Sequence, residues 1–145
     1  MSVKCTVFID KEREQEVIIY AHGISPLVSQ IKELVSDADR LVGYCDSDIA
    51  MLSPGQVCCF TVKNNKVWAL CRDKEYMLEQ RLYMLEDMLD ESFVKINQST
   101  IANIGQIERF DASISGTLCV IFKNGYKDYV SRRQLKTVKE RCFGK

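Results

Sequence analysis

From Arg40 onward, short runs of β-branched and aromatic residues alternate with tight-turn signals, and this pattern constrains the fold more than any other feature. A run of about five such residues is too short for a helix that buries a face, but it suits a strand folded back on its neighbour. Residues 41–45 and 49–52 flank Asp46-Ser47. Pro54-Gly55 breaks the chain before 57–63, and Asn64-Asn65 turns that run back into 66–71. Further strands are expected at 75–78, 93–96, 106–110 and 117–122. The last returns through Asn124-Gly125, the strongest two-residue hairpin signal, into 126–130.

Helices punctuate these strands. Leu82, Leu85, Met88 and Leu89 mark a short amphipathic one over 80–89. Ser131 with Gln134 three residues on has the capping-box pattern, and Leu135, Val138 and Cys142 give the last helix an inward face. Before Arg40, residues 3–9 and 16–21 read as two strands around a charged turn. Ser25 as N-cap and Pro26 at the first helical position then open a helix with Leu27, Ile31, Leu34 and Val35 on one stripe, ending near Asp37. The expected fold is a mainly β antiparallel domain over 40–145, preceded by a small α/β (ββα) extension over 1–39. That extension is too small to bury a core alone, so it should dock on the remainder or on a second copy.

With 46% hydrophobic and 28% charged residues among 145, the composition is that of a soluble globular protein, and no apolar run approaches the roughly 18 needed to span a membrane. Met1-Ser2-Val3-Lys4 lacks the layout of a secretory signal, which makes a reducing cytoplasm the default location. Cys5, Cys45, Cys58, Cys59, Cys71, Cys119 and Cys142 are odd in number and contain no C-x-x-C pair, so they read as thiols, most of them small hydrophobes within apolar runs. His22 is the single histidine, and no metal site and no cofactor are expected. Phosphate-binding, dinucleotide and nucleophile-elbow motifs are absent from the sequence, so an enzyme is not expected.

The net charge of zero conceals a polarity. Residues 1–91 carry 10 Lys/Arg against 16 Asp/Glu, and residues 92–145 carry 10 against 4. A basic C-terminal third suits a polyanion partner, although a solvated surface has the same composition. Arg132 and Arg133 sharpen the point. They fall in the first turn of the last helix, where the positive end of the helix dipole disfavours cations by roughly 0.3–1 kcal/mol each, so an anion should be near: a phosphate or guanine edge, or the chain's own Asp128 or Glu108. Lys136 and Lys139 continue the basic side of that helix. The polar run Asn97-Gln98-Ser99-Thr100 suits a DNA groove, since amides can bond an adenine edge and hydroxyls a phosphate; it also suits an ordinary loop. At the tip Lys63-Asn64-Asn65-Lys66, two lysines directly opposite repel unless an anion joins them.

These stretches carry a resemblance. Residues 92–107 (Ser-Phe-Val-Lys-Ile-Asn-Gln-Ser-Thr-Ile-Ala-Asn-Ile-Gly-Gln-Ile), then Asn124-Gly125, then Val130-Ser-Arg-Arg-Gln-Leu135, resemble in order and spacing the LytTR DNA-binding domain of bacterial transcription regulators. The resemblance implies a mainly antiparallel fold that presents loops to successive major grooves. By it, the contacts with double-stranded DNA look like Asn64, Asn65 and Lys66 of the first hairpin, Asn97, Gln98 and Ser99 of the middle loop, and Arg132 and Arg133, with Lys136 assisting. The family's usual His and Arg of the middle loop are Asn97 and Gln98 here. Residues 1–39 are too short for the receiver domain that often precedes such domains. The resemblance therefore implies a stand-alone regulator, a homodimer on paired or direct repeats, whose extension supports dimerisation or receives a regulatory partner protein. Two other readings stand beside it. One is a protein-interaction module that sequesters another regulator through its acidic part. The other is a thiol redox sensor using Cys58-Cys59, whose adjacent side chains should point to opposite sheet faces and leave one exposed.

Overall fold

Phe60 and Cys59 are consecutive in one strand and both fully buried, which requires packing on both faces of its sheet. The computed structural model describes residues 3–36, 40–114 and 116–144. The chain divides into two units, Met1–Ser36 and Asp37–Lys145. In the second, β1 (Leu41–Cys45), β2 (Asp48–Leu52), β3 (Cys59–Lys63), β4 (Lys66–Leu70), β5 (Glu75–Leu78), β6 (Phe93–Asn97) and β7 (Thr100–Asn103) form one antiparallel sheet in the order β2-β1-β5-β4-β3-β7-β6. A second sheet, of β8 (Ile107–Asp111), β9 (Leu118–Phe122) and β10 (Lys127–Val130), has the order β10-β9-β8. Helix α2 (Leu82–Met88) and the terminal helix α3 (Arg132–Cys142) complete the unit.

The larger sheet is the middle layer. On one face Phe60, Val67, Ala69, Phe93 and Ile101 pack with Leu85 of α2, and the Phe60 and Phe93 ring centroids are 5.9 Å apart. On the other face Cys59, Val94, Ile96 and Ala102 pack with Val120 and Phe122 of the small sheet and Val138 of α3. Burying an anchor such as Val138 stabilises the helix's attachment by about 1.5–3 kcal/mol. Among the described residues no helix is long and apolar enough to cross a membrane.

Cys58 and Cys59 depart from the expected alternation. Both lie in the same cluster and neither is exposed. The Cys58 N–H donates to the Leu70 carbonyl at 2.8 Å, while Cys59 is paired with the same Leu70. Two residues thus oppose one, as in a β-bulge, which turns consecutive side chains toward one face. Burial holds the Cys59 thiol well above its usual range and pushes Cys71 up to about 11. The redox expectation of one exposed thiol in this pair is therefore overturned.

Turn chemistry follows backbone sterics. Asn64 (φ 52°) and Asn65 (φ 63°) are both left-handed, the geometry that matches a two-residue turn to strand twist, and Asn tolerates it. The Asn124-Gly125 turn is one residue longer than expected. Lys127 pairs with Ile121, and the Gly125 N–H donates to the Phe122 carbonyl at 2.9 Å, leaving 123–125 as the loop with Gly125 at φ 89°. Asn124 shapes it by accepting from the Tyr126 N–H and donating to the Cys71 carbonyl, 3.0 Å each.

Among the described residues of the first unit only α1 (Pro26–Ser36) is regular. Ser25 caps it as expected, its Oγ accepting from the Val28 N–H at 3.3 Å. The strands expected at 3–9 and 16–21 are absent, so the ββα expectation reduces to a helix preceded by irregular chain. Phe8 is 86% and Tyr20 93% exposed, and a lone two-stranded hairpin with no buried face is marginal in water.

Two measurements test this packing. A Cβ at Gly43 would lie 2.7 Å from both Leu52 Cδ1 and Tyr76 Cβ. Gly43→Ala is therefore expected to lower unfolding free energy by about 1–3 kcal/mol, read as a lower urea midpoint; an unchanged midpoint would show that the close approach is not constraining. On treatment of the native chain with iodoacetamide at mildly alkaline pH, the exposed Cys5 is expected to react, and Cys58 and Cys59 only after unfolding. Labelling of Cys71 should climb as the pH nears about 11, where its thiolate accumulates. Mass spectrometry of digests reads all four sites, and fast native labelling of Cys58 would contradict the bulge geometry.

Candidate nucleic-acid interface

Three turns meet at one end of the large sheet, all within Asp37–Lys145. Strand β3 runs toward its tip at 64–65, with Lys63 directly opposite Lys66. Antiparallel to it, β7 starts at Thr100 opposite Thr61, and the Ser99 carbonyl accepts from the Val62 N–H at 2.9 Å. The Gln98-Ser99 turn is thereby held beside the first hairpin. Next to β6, the Ser131 N–H donates to the Ile96 carbonyl at 2.9 Å, which sets the start of α3 against the same end.

A polar junction ties these parts together. The Asn97 side-chain amide donates to Asp128 Oδ1 at 3.1 Å and to the Tyr129 carbonyl at 2.8 Å, while its own oxygen accepts from the Ser99 N–H at 2.8 Å. Thr100 Oγ1 donates to Asp128 Oδ2 at 2.7 Å and lies 2.8 Å from Thr61 Oγ1. Burial raises the Tyr126 phenol above its usual range, helped by the Asp128 charge and opposed by a hydrogen bond with Thr61. Thr61, Asn97 and Thr100 are buried and fully engaged, as buried polar groups must be.

The residues expected to touch a ligand therefore separate into two kinds. Asn64, Asn65, Lys66, Gln98, Ser99, Arg132, Arg133 and Lys136 are exposed at or next to this end. Asn97 is 3% exposed, and its amide is spent on the turn it begins and on β10, so it belongs to the support beneath the tip. Thr100 is the buried first residue of β7, a strand where a polar loop was expected.

The charges also sort differently. Lys63 needs no outside anion: its Nζ is 2.6 Å from Glu75 Oε1 and 5.7 Å from the centroid of Trp68. Lys66, Arg132 and Arg133 make no ion pair among the described residues. The carboxylate that could have answered the two arginines, Asp128, is occupied by Asn97, Thr100 and the Tyr129 N–H. The capping box at Ser131 is absent too. Its hydroxyl makes no cap, and the N–H that Gln134 would bond is already taken by Ile96. Farther along α3 the Arg141 guanidinium donates to the Glu91 carbonyl.

Sequence reading missed Thr61 and Asp128 as site residues, since a threonine within a strand and an acid in a basic region carry no motif. Asn103, also buried, donates to the Val57 carbonyl at 2.9 Å and accepts from the Gly105 N–H at 3.1 Å, fastening the bends on either side of the central strands.

Comparison with known proteins agrees with this architecture. The family model of the LytTr DNA-binding domain matches residues 47–142. A Staphylococcus aureus (strain MSSA476) protein described as an uncharacterized HTH-type transcriptional regulator is 35% identical over 143 residues, covering 96% of this chain and 97% of the relative. A counterpart with the same description from strain MRSA252 is 34% identical over 143 residues, with the same coverage. A LytTr DNA-binding domain from Bacillus cereus superposes with a TM-score of 0.65 at 16% identity, covering 70% of this chain and 94% of that one. Despite the relatives' description, the helices described here are not consecutive: five strands separate α2 from α3. The chain belongs to the LytTr DNA-binding domain family.

Proposed function

We propose that this protein is a sequence-specific transcriptional regulator that binds double-stranded DNA through the three turns at one end of its large sheet. The observation that carries this reading is the junction around Asp128, which fastens three exposed turns to one end of a single unit while leaving Arg132 and Arg133 without an ion-pair carboxylate among the described residues. Across that end the order is the β3–β4 tip, the β6–β7 turn, then the start of α3. Neighbouring strands lie about 4.8 Å apart, so the two hairpin tips are separated by roughly 10 Å, with the arginines beyond them. In the proposed mode the row lies along one face of a duplex, with its outer members directed at successive major grooves.

In this reading Arg133 contacts a guanine edge or phosphate, Arg132, Lys136 and Lys66 hold phosphates, and Gln98 reads an adenine edge, with Ser99, Asn64 and Asn65 assisting. Asn97 shapes its turn without touching DNA. Residues 40–145 form the DNA-binding part and 1–39 an extension through which a second copy associates. The apolar side chains of Val7, Phe8, Ile9 and Ile18, all exposed, support that role. Acting on promoter DNA places the protein in the cytoplasm.

For a duplex selected from a random-sequence pool, neutralising about four to six phosphates gives a logarithmic salt slope of about −4 to −5 per subunit. Arg133→Ala should cost about 1–3 kcal/mol of binding while Lys32→Ala, in α1, costs little. Equal losses, read by fluorescence anisotropy, would remove the assignment of the α3 start. In sedimentation velocity the full chain should run as a dimer, and Ile18→Glu should shift it toward monomer; a monomeric parent would refute the role given to the extension.

A further inference from the structure

We propose that Asp128 is the positioning residue that sets the spacing between the Gln98-Ser99 turn and the arginines of α3. This rests on the DNA-binding reading above and deepens it. A carboxylate four residues before Arg132 is electrostatically costly at a surface that meets phosphates, so it needs a compensating role. Its hydrogen bonds supply one. Oδ1 accepts from the Asn97 amide and the Tyr129 N–H, and Oδ2 accepts from the Thr100 hydroxyl. The first and third donors belong to the β6–β7 hairpin, and the second to the strand leading into α3.

The hydroxyl chain has a direction. Thr100 spends its single proton on Asp128, so in the 2.8 Å contact with Thr61 it is Thr61 that donates. The carboxylate therefore orders β3 through two hydroxyls as well as β6 and β7. An asparagine at 128 can keep this network with its polarity reversed. Its oxygen still accepts from Asn97 and Tyr129, and its amide donates to Thr100, which then donates to Thr61. An alanine leaves the Asn97 amide one partner short and Thr100 without its acceptor.

The test measures binding of the full chain to the duplex it selects from a random-sequence pool. Asp128→Ala should weaken binding roughly tenfold or more, because buried donors lose their partner and the turns lose their common reference. Asp128→Asn should restore affinity to within about threefold of the parent. Combined with Arg133→Ala, the alanine variant should lose less than the sum of the two single losses, because a misplaced arginine has less to lose. Parent-like affinity for Asp128→Ala, an asparagine variant as weak as the alanine one, or strict additivity would each overturn the proposal. If Asp128→Ala fails to fold, Thr100→Val removes only the hydroxyl link, and unchanged affinity there is equally fatal. Retained loss in Arg133→Ala alongside any of these results leaves the DNA-binding reading standing, whereas failure of the parent to select any duplex removes that reading itself.

Discussion

Strands β3 and β7 of the large sheet are buried from both sides, and the rest of the second unit is arranged to cover them. Phe60 and Ile101 fill the face under α2, while Cys59 and Ala102 present small side chains to the other. The first face meets one side of a short helix, while on the other Val94 and Ile96 join Cys59 and Ala102 in packing with Val120, Phe122 and Val138 to close a second core. Without the small sheet and α3, that second face would stand in water, so the C-terminal elements complete the fold of the N-terminal strands.

Apolar packing gives way to hydrogen bonds where the central strands end. Along β3 the buried sequence passes from Cys59 and Phe60 to Thr61, and along β7 from Thr100 to Ile101 and Ala102. Burying Thr61, Asn97 and Thr100 without partners would cost about 1–3 kcal/mol each, so their mutual satisfaction is a condition for the tips to exist as they do. Directional bonds replace shape fitting at the end of the domain whose geometry has to match a ligand.

Most strands were legible because period-two burial and turn residues agree along them, as at Leu41–Cys45 and around Asn64-Asn65. Strand β7 was not. Thr100 and Asn103 bracket it with polar side chains that read as loop, and only distant partners, Asp128 and Val57, make their burial possible. The same limit applies to Cys58, whose facing is set by a bulge against Leu70, and to residues 3–9, where β-branched side chains find no partner strand among the described residues. At the candidate site, the misfit of two arginines with a helix dipole was visible in the sequence. Whether Asn97 faced outward was not, because an amide suited to a base edge is equally suited to its own turn.

A junction held by short hydrogen bonds has little freedom to stretch. In the proposed mode of binding, inserting one base pair between the sites met by the hairpin turns and by the arginines would shift one set by about 3.4 Å along the duplex and rotate it by roughly 35° about the axis. A looser, greasy hinge could follow that screw motion. In the proposed mode of binding, the duplex must then present its bases at a fixed interval, so spacer length is as much a part of the recognised message as its letters.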